Sequence, residues 1–196
     1  MDFSLEIWYN KHSKGEIMEK NYYKEFIDFL KRHNLFNKEA IEYLQKNATF
    51  FNYLEEEYRD FIGCFFSINK KNRKLEKITL FVPYIKNEKT LIINIHEYTH
   101  ALLNYKYLGK KFNVHDDIEI LPMLYERLYQ IESKSEKAQS YINYLNSYIT
   151  KNSDIKYKIA IDTQDQMLDF YQKEKNPEKL QIKAKKLSKK YKKHQK

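Results

Sequence analysis

The sequence has few residues that interrupt regular structure, with only 3 Gly and 3 Pro among 196 residues. So few turn-forming residues favour helices over a sandwich of many short strands. The single cysteine, Cys64, has no intramolecular partner for a disulfide, and its place in an apolar run predicts a buried, inert thiol. No stretch approaches the roughly 20 apolar residues that span a bilayer. Residues 1–15 lack the apolar core of a secretory signal, so we expect a cytoplasmic protein without a membrane partner.

What the chain does contain is enough apolar material for one sizeable core. Hydrophobic residues make up 42% of the sequence and aromatic residues 16%, largely as 18 Tyr and 12 Phe. Such a composition excludes disordered and collagen-like chains. A length of 196 residues fits one domain and is short for two.

The net charge of +9 is confined to one end of the chain. Residues 179–196 hold nine lysines and no acidic residue, while the preceding 178 residues carry 27 basic and 27 acidic side chains. We therefore predict a neutral domain over residues 1–178 and a basic helical tail over 179–196. Binding to nucleic acid is not expected of the domain, and a polyanion partner is an alternative for the tail alone.

Hydrophobic periodicity divides the chain into several helices and one β-rich region. Two β-rich runs on either side of a polar turn predict an antiparallel hairpin, and Pro83 suits an edge or a strand end. Asn37 is a suitable N-cap, and Gly109 is a suitable C-cap. The sequence thus predicts a predominantly helical α+β domain with a small antiparallel sheet. Helices are predicted over residues 16–33, 37–60, 88–108, 118–148 and 154–175 and from 177 onward, and strands over 61–69 and 75–85.

The segment His96-Glu97-Tyr98-Thr99-His100 carries the clearest chemical signal. Two histidines four residues apart on a helix lie on one face, so their imidazoles can reach the same point. Neutral imidazole is a good ligand for Zn²⁺. The glutamate after the first histidine lies beside such an ion, where it can take a proton from a zinc-activated water. The sequence therefore predicts a zinc site with Glu97 as general base.

A catalytic zinc site needs a third protein ligand and an open fourth position. Glu119 lies on the next predicted helix, and Glu126 follows seven residues later on nearly the same face. We favour Glu119 as the third ligand, with Glu126 as the alternative ligand or as a residue that orients a ligand. The polar cluster at His115, Asp116 and Asp117 is read as a loop that caps the next helix, with His115 in reserve as a ligand.

These residues resemble the gluzincin metallopeptidases, which pair a His-Glu-x-x-His helix with a glutamate on a later helix. The spacing of Glu119 is similar to that of the aminopeptidase branch, and the segment 119–126 is similar to one in the thimet-oligopeptidase family. The resemblance implies a minimal zincin-like domain in which His96, His100 and Glu119 bind zinc. It also implies an edge strand that pairs with an extended peptide substrate, a role that falls on Thr79, Leu80 and Phe81.

The function expected on this basis is hydrolysis of peptide bonds in a peptide or protein substrate. A regulatory protease of the ImmA-like type is an alternative, and so is a degenerate zinc-binding module that has kept the metal and lost catalysis. The tyrosine or histidine that stabilises the transition state in such enzymes has no assigned counterpart. The tyrosine-rich segment 141–148 is one place where a hydroxyl donor could come from.

Overall fold

A computed structural model describes the fold over most of the chain. The described residues are 21–52, 62–113, 119–136, 138–140, 143, 147 and 155–194, with backbone alone for 191–194. Within them the chain is predominantly helical with one small mixed sheet, which confirms the predicted α+β class. The helices are α1 (Tyr22–Arg32), α2 (Lys38–Lys46), α3 (Glu88–Asn104), α4 (Ile120–Ser133), α5 (Ile155–Asp162), α6 (Gln164–Lys173) and α7 (Pro177–His194), and the strands are β1 (Ala48–Phe51), β2 (Gly63–Ile68) and β3 (Leu75–Pro83).

The predicted hairpin is present as β2 and β3, which pair antiparallel. Pro83 is the last residue of β3, where its missing N–H costs no ladder bond. However, β3 is the central strand of the sheet, because β1 pairs with its other side in parallel. Leu80 and Phe81 are therefore paired on both sides, and Thr79 is paired with Phe65 of β2. The prediction that these three residues form an edge strand open to a substrate is wrong, because β3 is the central strand.

The second helix is shorter than predicted, and its expected continuation to residue 60 is wrong. The helix ends at Lys46, and Asn47 is its C-cap. The side-chain N–H of Asn47 donates to Tyr43 O, a carbonyl of the last turn, at 2.9 Å. The next four residues form β1, whose Thr-Phe-Phe segment has high β propensity. Its apolar residues also fit a helical spacing, and pairing with β3 decides in favour of the strand. Residues 53–61 lie outside the described residues.

Three other predicted helices are interrupted. The helix predicted over 88–108 ends at Asn104 and gives way to a short 3-10 turn before Gly109, which has a φ of 72°. The helix predicted from 118 to 148 breaks at Lys134, whose φ of 50° cannot continue an α-helix. Thr163 separates α5 from α6, and its φ of −106° and ψ of 0° depart from regular helix values. Its hydroxyl donates to the carbonyl of Ile159 at 2.7 Å. The final helix from Pro177 is confirmed.

One core joins the sheet to the helices. Leu80 and Val82 of β3 are fully buried, as are Leu91 and Ile95 of α3 and Leu124 of α4. The basic segment belongs to the same core, since α7 contributes buried residues from its inner face: Leu180, Ala184 and Leu187. None of the described helices is long and apolar enough to cross a membrane.

His33 has no partner at ligand spacing in the sequence, which predicts a surface position, and the structure shows that this prediction is wrong. Its side chain is 3% exposed, at the end of α1 between α4 and α6. The Tyr171 hydroxyl binds its Nδ1, and its Nε2 lies 2.9 Å from Glu132 Oε1, although off the line of a well-directed hydrogen bond. Burial lowers the pKa of His33 and outweighs the opposing effect of Glu132. The neutral ring therefore ties three helices together.

Candidate metal centre

The helix that carries the histidine motif starts at a strong N-terminal cap. Asn87 accepts a hydrogen bond from the Thr90 backbone N–H at 2.9 Å, and Thr90 Oγ1 accepts one from the Asn87 backbone N–H at 3.1 Å. This reciprocal pair satisfies N–H groups that have no partner inside the helix. The start of α3 is thus fixed two turns before the first histidine.

Asn94 fastens the same helix to the sheet. Its side-chain N–H group donates to Pro83 O at 2.9 Å and to Thr90 O at 2.8 Å. Pro83 ends β3, so Asn94 links the end of the central strand to the turn of α3 just before His96. One turn further along the helix, the Tyr98 ring packs edge-on against Phe26 of α1, with ring centres 5.0 Å apart. The segment that carries the motif is therefore held by the sheet and by α1.

Three predicted ligand atoms face one another between α3 and α4. Glu119 Oε2 lies 3.1 Å from His96 Nε2 and 3.2 Å from His100 Nε2, and the two Nε2 atoms are 3.3 Å apart. The three atoms form a nearly equilateral triangle. Ligand atoms at zinc distances of about 2.0–2.1 Å in a tetrahedral site are separated by roughly 3.3–3.4 Å. The triangle thus has the size that such an ion requires.

Glu126 occupies the opposite edge of the His96 ring. Its Oε1 lies 2.8 Å from His96 Nδ1. A carboxylate can only accept, so Nδ1–H of the ring donates to it and the Nε2 lone pair is left to face Glu119. In this position Glu126 orients a ligand, and Glu119 is the carboxylate that reaches both Nε2 atoms. Of the two open readings for the third ligand, the geometry favours Glu119.

The triangle brings electron-pair donors close together. With Nδ1–H of His96 directed at Glu126, its Nε2 and the Glu119 carboxylate both offer lone pairs to the same point. Either a proton or a metal cation has to lie there. Burial alone lowers the pKa of His96, but Glu126, Glu119 and Glu97 more than offset this and raise it well above the usual value. A positive charge, carried by a proton or by a metal ion, is therefore favoured at this point.

The charges around the triangle lead to the same expectation. Burial raises the pKa of Glu119, but His100 and His96 outweigh it and hold that pKa well below the usual range. Glu97, Glu119 and Glu126 are three carboxyl groups at one half-buried place, and no described lysine or arginine pairs with them. Buried carboxylates are normally paired or coordinate a metal. A divalent cation would meet that need.

Glu97 lies beside the triangle and outside it. It is half-buried, and within the described part of the chain its carboxyl group has no hydrogen-bond or ion-pair partner. Burial raises its pKa, against the lowering effect of His96 and His100. A carboxyl group with a raised pKa and a free lone pair is suited to take up a proton and release it again.

Tyr157 on α5 is a site residue that the sequence did not reveal. Burial and the negative charges of Glu119, Glu97 and Glu126, against the lowering effect of His96, together raise the pKa of its hydroxyl to about 12, so the hydroxyl is within electrostatic range of the site. No described residue forms a hydrogen bond with it. No spacing rule connects Tyr157 to the motif, since α5 reaches the site only by packing against α4.

The other predicted site residues are either outside the described residues or not part of the triangle. The cluster at 115–117 falls outside the described residues, and so does most of the tyrosine-rich segment 141–148. Thr79, Leu80 and Phe81 are interior to the sheet. Cys64 on β2 is not in a disulfide, and it is half-buried where a buried thiol was predicted. His96, His100 and Glu119 are the only group of metal-binding side chains found within the described ranges.

Comparison with known proteins adds no relative. No protein-family model matches the chain, and the curated proteins and the solved structures give no significant match. Any functional conclusion therefore depends on the site itself.

Proposed function

We propose that the chain is a gluzincin-type zinc peptidase. The observation that carries the proposal is the triangle of His96 Nε2, His100 Nε2 and Glu119 Oε2, with sides of 3.1 to 3.3 Å. Two imidazoles and one carboxylate are a common donor set for catalytic zinc, and they leave one position for water or substrate. We place the activity in the cytoplasm, because the single Cys64 leaves no disulfide that would call for an oxidising compartment.

Zinc bound at the triangle would supply a Lewis acid that acidifies a water molecule and polarises a carbonyl oxygen. The protein's own part in the reaction falls first to Glu97. Its free carboxylate accepts a proton from the attacking water as the water oxygen bonds to the carbonyl carbon. The same carboxyl group then gives this proton to the peptide nitrogen as the C–N bond breaks. A carboxylic acid and an amine leave, and Glu97 returns to its starting state.

Tyr157 and Glu126 would support this reaction in different ways. The Tyr157 hydroxyl is protonated at neutral pH, and its pKa of about 12 keeps it protonated well above neutral pH. It can donate to the carbonyl oxygen as negative charge builds there. Glu126 holds the His96 ring by Nδ1 and keeps Nε2 directed at the triangle. Glu126 is thus a positioning residue, and Tyr157 is the proposed transition-state donor.

The decisive experiment measures zinc content and peptide cleavage on the same preparations. Cleavage of a peptide library, read by mass spectrometry, is compared for wild type, Glu97→Gln and the matched control Glu76→Gln. Glu76 is an exposed glutamate on β3. We expect about one zinc per chain in all three, as in other three-ligand sites. Cleavage should fall by about 10²–10⁴-fold in Glu97→Gln and stay unchanged in the control. Wild type without zinc would refute the metal site, and zinc without cleavage would leave a zinc-binding module instead of an enzyme.

A further inference from the structure

The last helix, α7, carries almost all of the net positive charge on a fixed support. Pro177–His194 forms 18 residues of helix, about 27 Å long. Its inner face is anchored in the core by Leu180, Ala184 and Leu187, so the helix does not project as a free tail. The lysines on its outer face are therefore held at defined places on the surface.

The positive charge is neutralised at the start of α7 and left uncompensated further along. Lys179 pairs with Glu174 at 2.7 Å, and Glu178 pairs with Lys106 at 3.0 Å. Lys186, Lys189 and Lys190 are exposed, and none has a carboxylate partner within the described part of the chain. No acidic residue follows Glu178 in the sequence.

We propose that the outer face of α7, the surface formed by Lys186, Lys189 and Lys190, binds the phosphate backbone of nucleic acid. Side chains three and four residues apart on a helix lie about 5–6 Å from one another. Flexible lysine stems at that spacing can each reach a separate phosphate along one strand. Contacts of this kind need no base-specific group, so the binding is independent of sequence.

Two other anionic partners fit this surface less well. A helix that lies on a lipid surface inserts an apolar face between the head groups. The apolar face of α7 is buried against the protein, and Ile182, 56% exposed, is the one large apolar side chain on its outer side within the described residues. Protein–protein interfaces are depleted of lysine at their centre. A phosphate backbone requires only the charges that α7 presents.

The proposal is independent of the peptidase activity, and a direct binding measurement tests it. The probe is a fluorescent oligonucleotide of about 20 nucleotides, single-stranded or duplex, titrated with the full chain between about 50 and 200 mM salt. The test variant replaces Lys186, Lys189 and Lys190 with Gln. The matched control replaces Lys70, Lys71 and Lys74, three exposed lysines of the β2–β3 turn, with Gln, so both variants lose the same charge.

We expect wild type to bind with an affinity that falls steeply with salt. Each lost phosphate contact should reduce the slope of log affinity against log salt by about 0.7–0.9, hence by about 2–3 for the α7 variant. The control should keep the slope of wild type, and circular dichroism should be the same for all three chains. Equal losses in both variants, or no binding by wild type at about 50 mM salt, would overturn the proposal. Binding to phosphatidylserine vesicles without binding to the oligonucleotide would also overturn it.

Discussion

Glu126 of α4 accepts a hydrogen bond from Nδ1 of His96 on α3 at 2.8 Å. The two residues lie on different helices, so this bond sets the tautomer of the ring and links α3 to α4. In the proposed metal site, Glu126 would direct the His96 ring at the metal without being a ligand itself.

The role of Glu126 is tested by removing its carboxylate. Glu126→Ala should weaken zinc binding by about 10–100-fold, because the ring of His96 is no longer held in place. Glu126→Gln keeps an oxygen acceptor and should retain most of the affinity. Competition with a chromophoric chelator measures both, with the exposed Glu136→Gln as control. Unchanged affinity in Glu126→Ala would show that the hydrogen bond does not position the ligand.

The choice of third ligand is tested by Glu119→Gln. An amide oxygen is a weaker zinc ligand than a carboxylate, so zinc content should fall well below that of wild type, as it should in His96→Ala and His100→Ala. Metal analysis after dialysis gives the stoichiometry. If Glu126→Gln lost the metal and Glu119→Gln kept it, the assignment from the 3.1 and 3.2 Å distances would be reversed.

Tyr157→Phe removes only the hydroxyl beside the carboxylates of the site. We expect kcat to fall by about 10²–10³-fold, as on removal of one donor to a developing oxyanion. KM and zinc content should change little. Tyr107→Phe is the matched control, since Tyr107 is also half-buried and lies outside the site. Equal activity of Tyr157→Phe and wild type would exclude the hydroxyl as transition-state donor.

Asn94→Ala should destabilise the fold by about 1–3 kcal/mol, because Pro83 O loses a buried hydrogen-bond donor. Urea unfolding, monitored by circular dichroism in the presence of a chelator, measures the free energy of unfolding without the metal. The exposed Thr49→Ala on β1 serves as control and should stay within about 0.5 kcal/mol of wild type. A neutral Asn94→Ala would mean that the link from β3 to α3 contributes nothing to stability.

His33 predicts a pH dependence of stability. Burial lowers the pKa of the His33 ring, so the folded state disfavours its charged form. The groups that face the ring are Glu132, Arg32, Lys175, Tyr171 and Tyr125. Below the ordinary histidine pKa of about 6.5 the unfolded chain takes up a proton more readily. The stabilisation from neutral His33 is therefore present above that pH and is lost as the pH falls.

His33→Gln removes this titration and serves as the reference. The excess unfolding free energy of wild type over His33→Gln should be largest near neutral pH and should shrink as the pH falls toward the lowered pKa of the ring. Urea unfolding of both chains over a pH series, with chelator present, measures the difference. A constant difference across the series would show that His33 does not titrate on unfolding.

The sequence predicted the local features well because short-range patterns determine them. The spacing of His96 and His100 places both on one helix face, and Asn37 caps α2 as expected. Features made by distant segments were missed. Strand β1 is distinguished from helix only by its pairing with β3, and the burial of His33 depends on Glu132 and Tyr171, which lie about a hundred or more positions away. The place of Tyr157 was missed for the same reason, because it depends on the packing of α5 against α4.

The donor triangle draws two of its atoms from α3 and one from α4, so the separation of these packed helices sets its size. Close-packed interiors resist expansion, because widening a helix contact loses dispersion energy along its whole length. The packing of the two helices therefore sets the spacing of the three donor atoms. In the proposed site an ion of zinc's radius would fit between the helices as they stand, while a larger divalent ion would have to move them apart. Selectivity for small ions would then follow from the core as much as from the ligands.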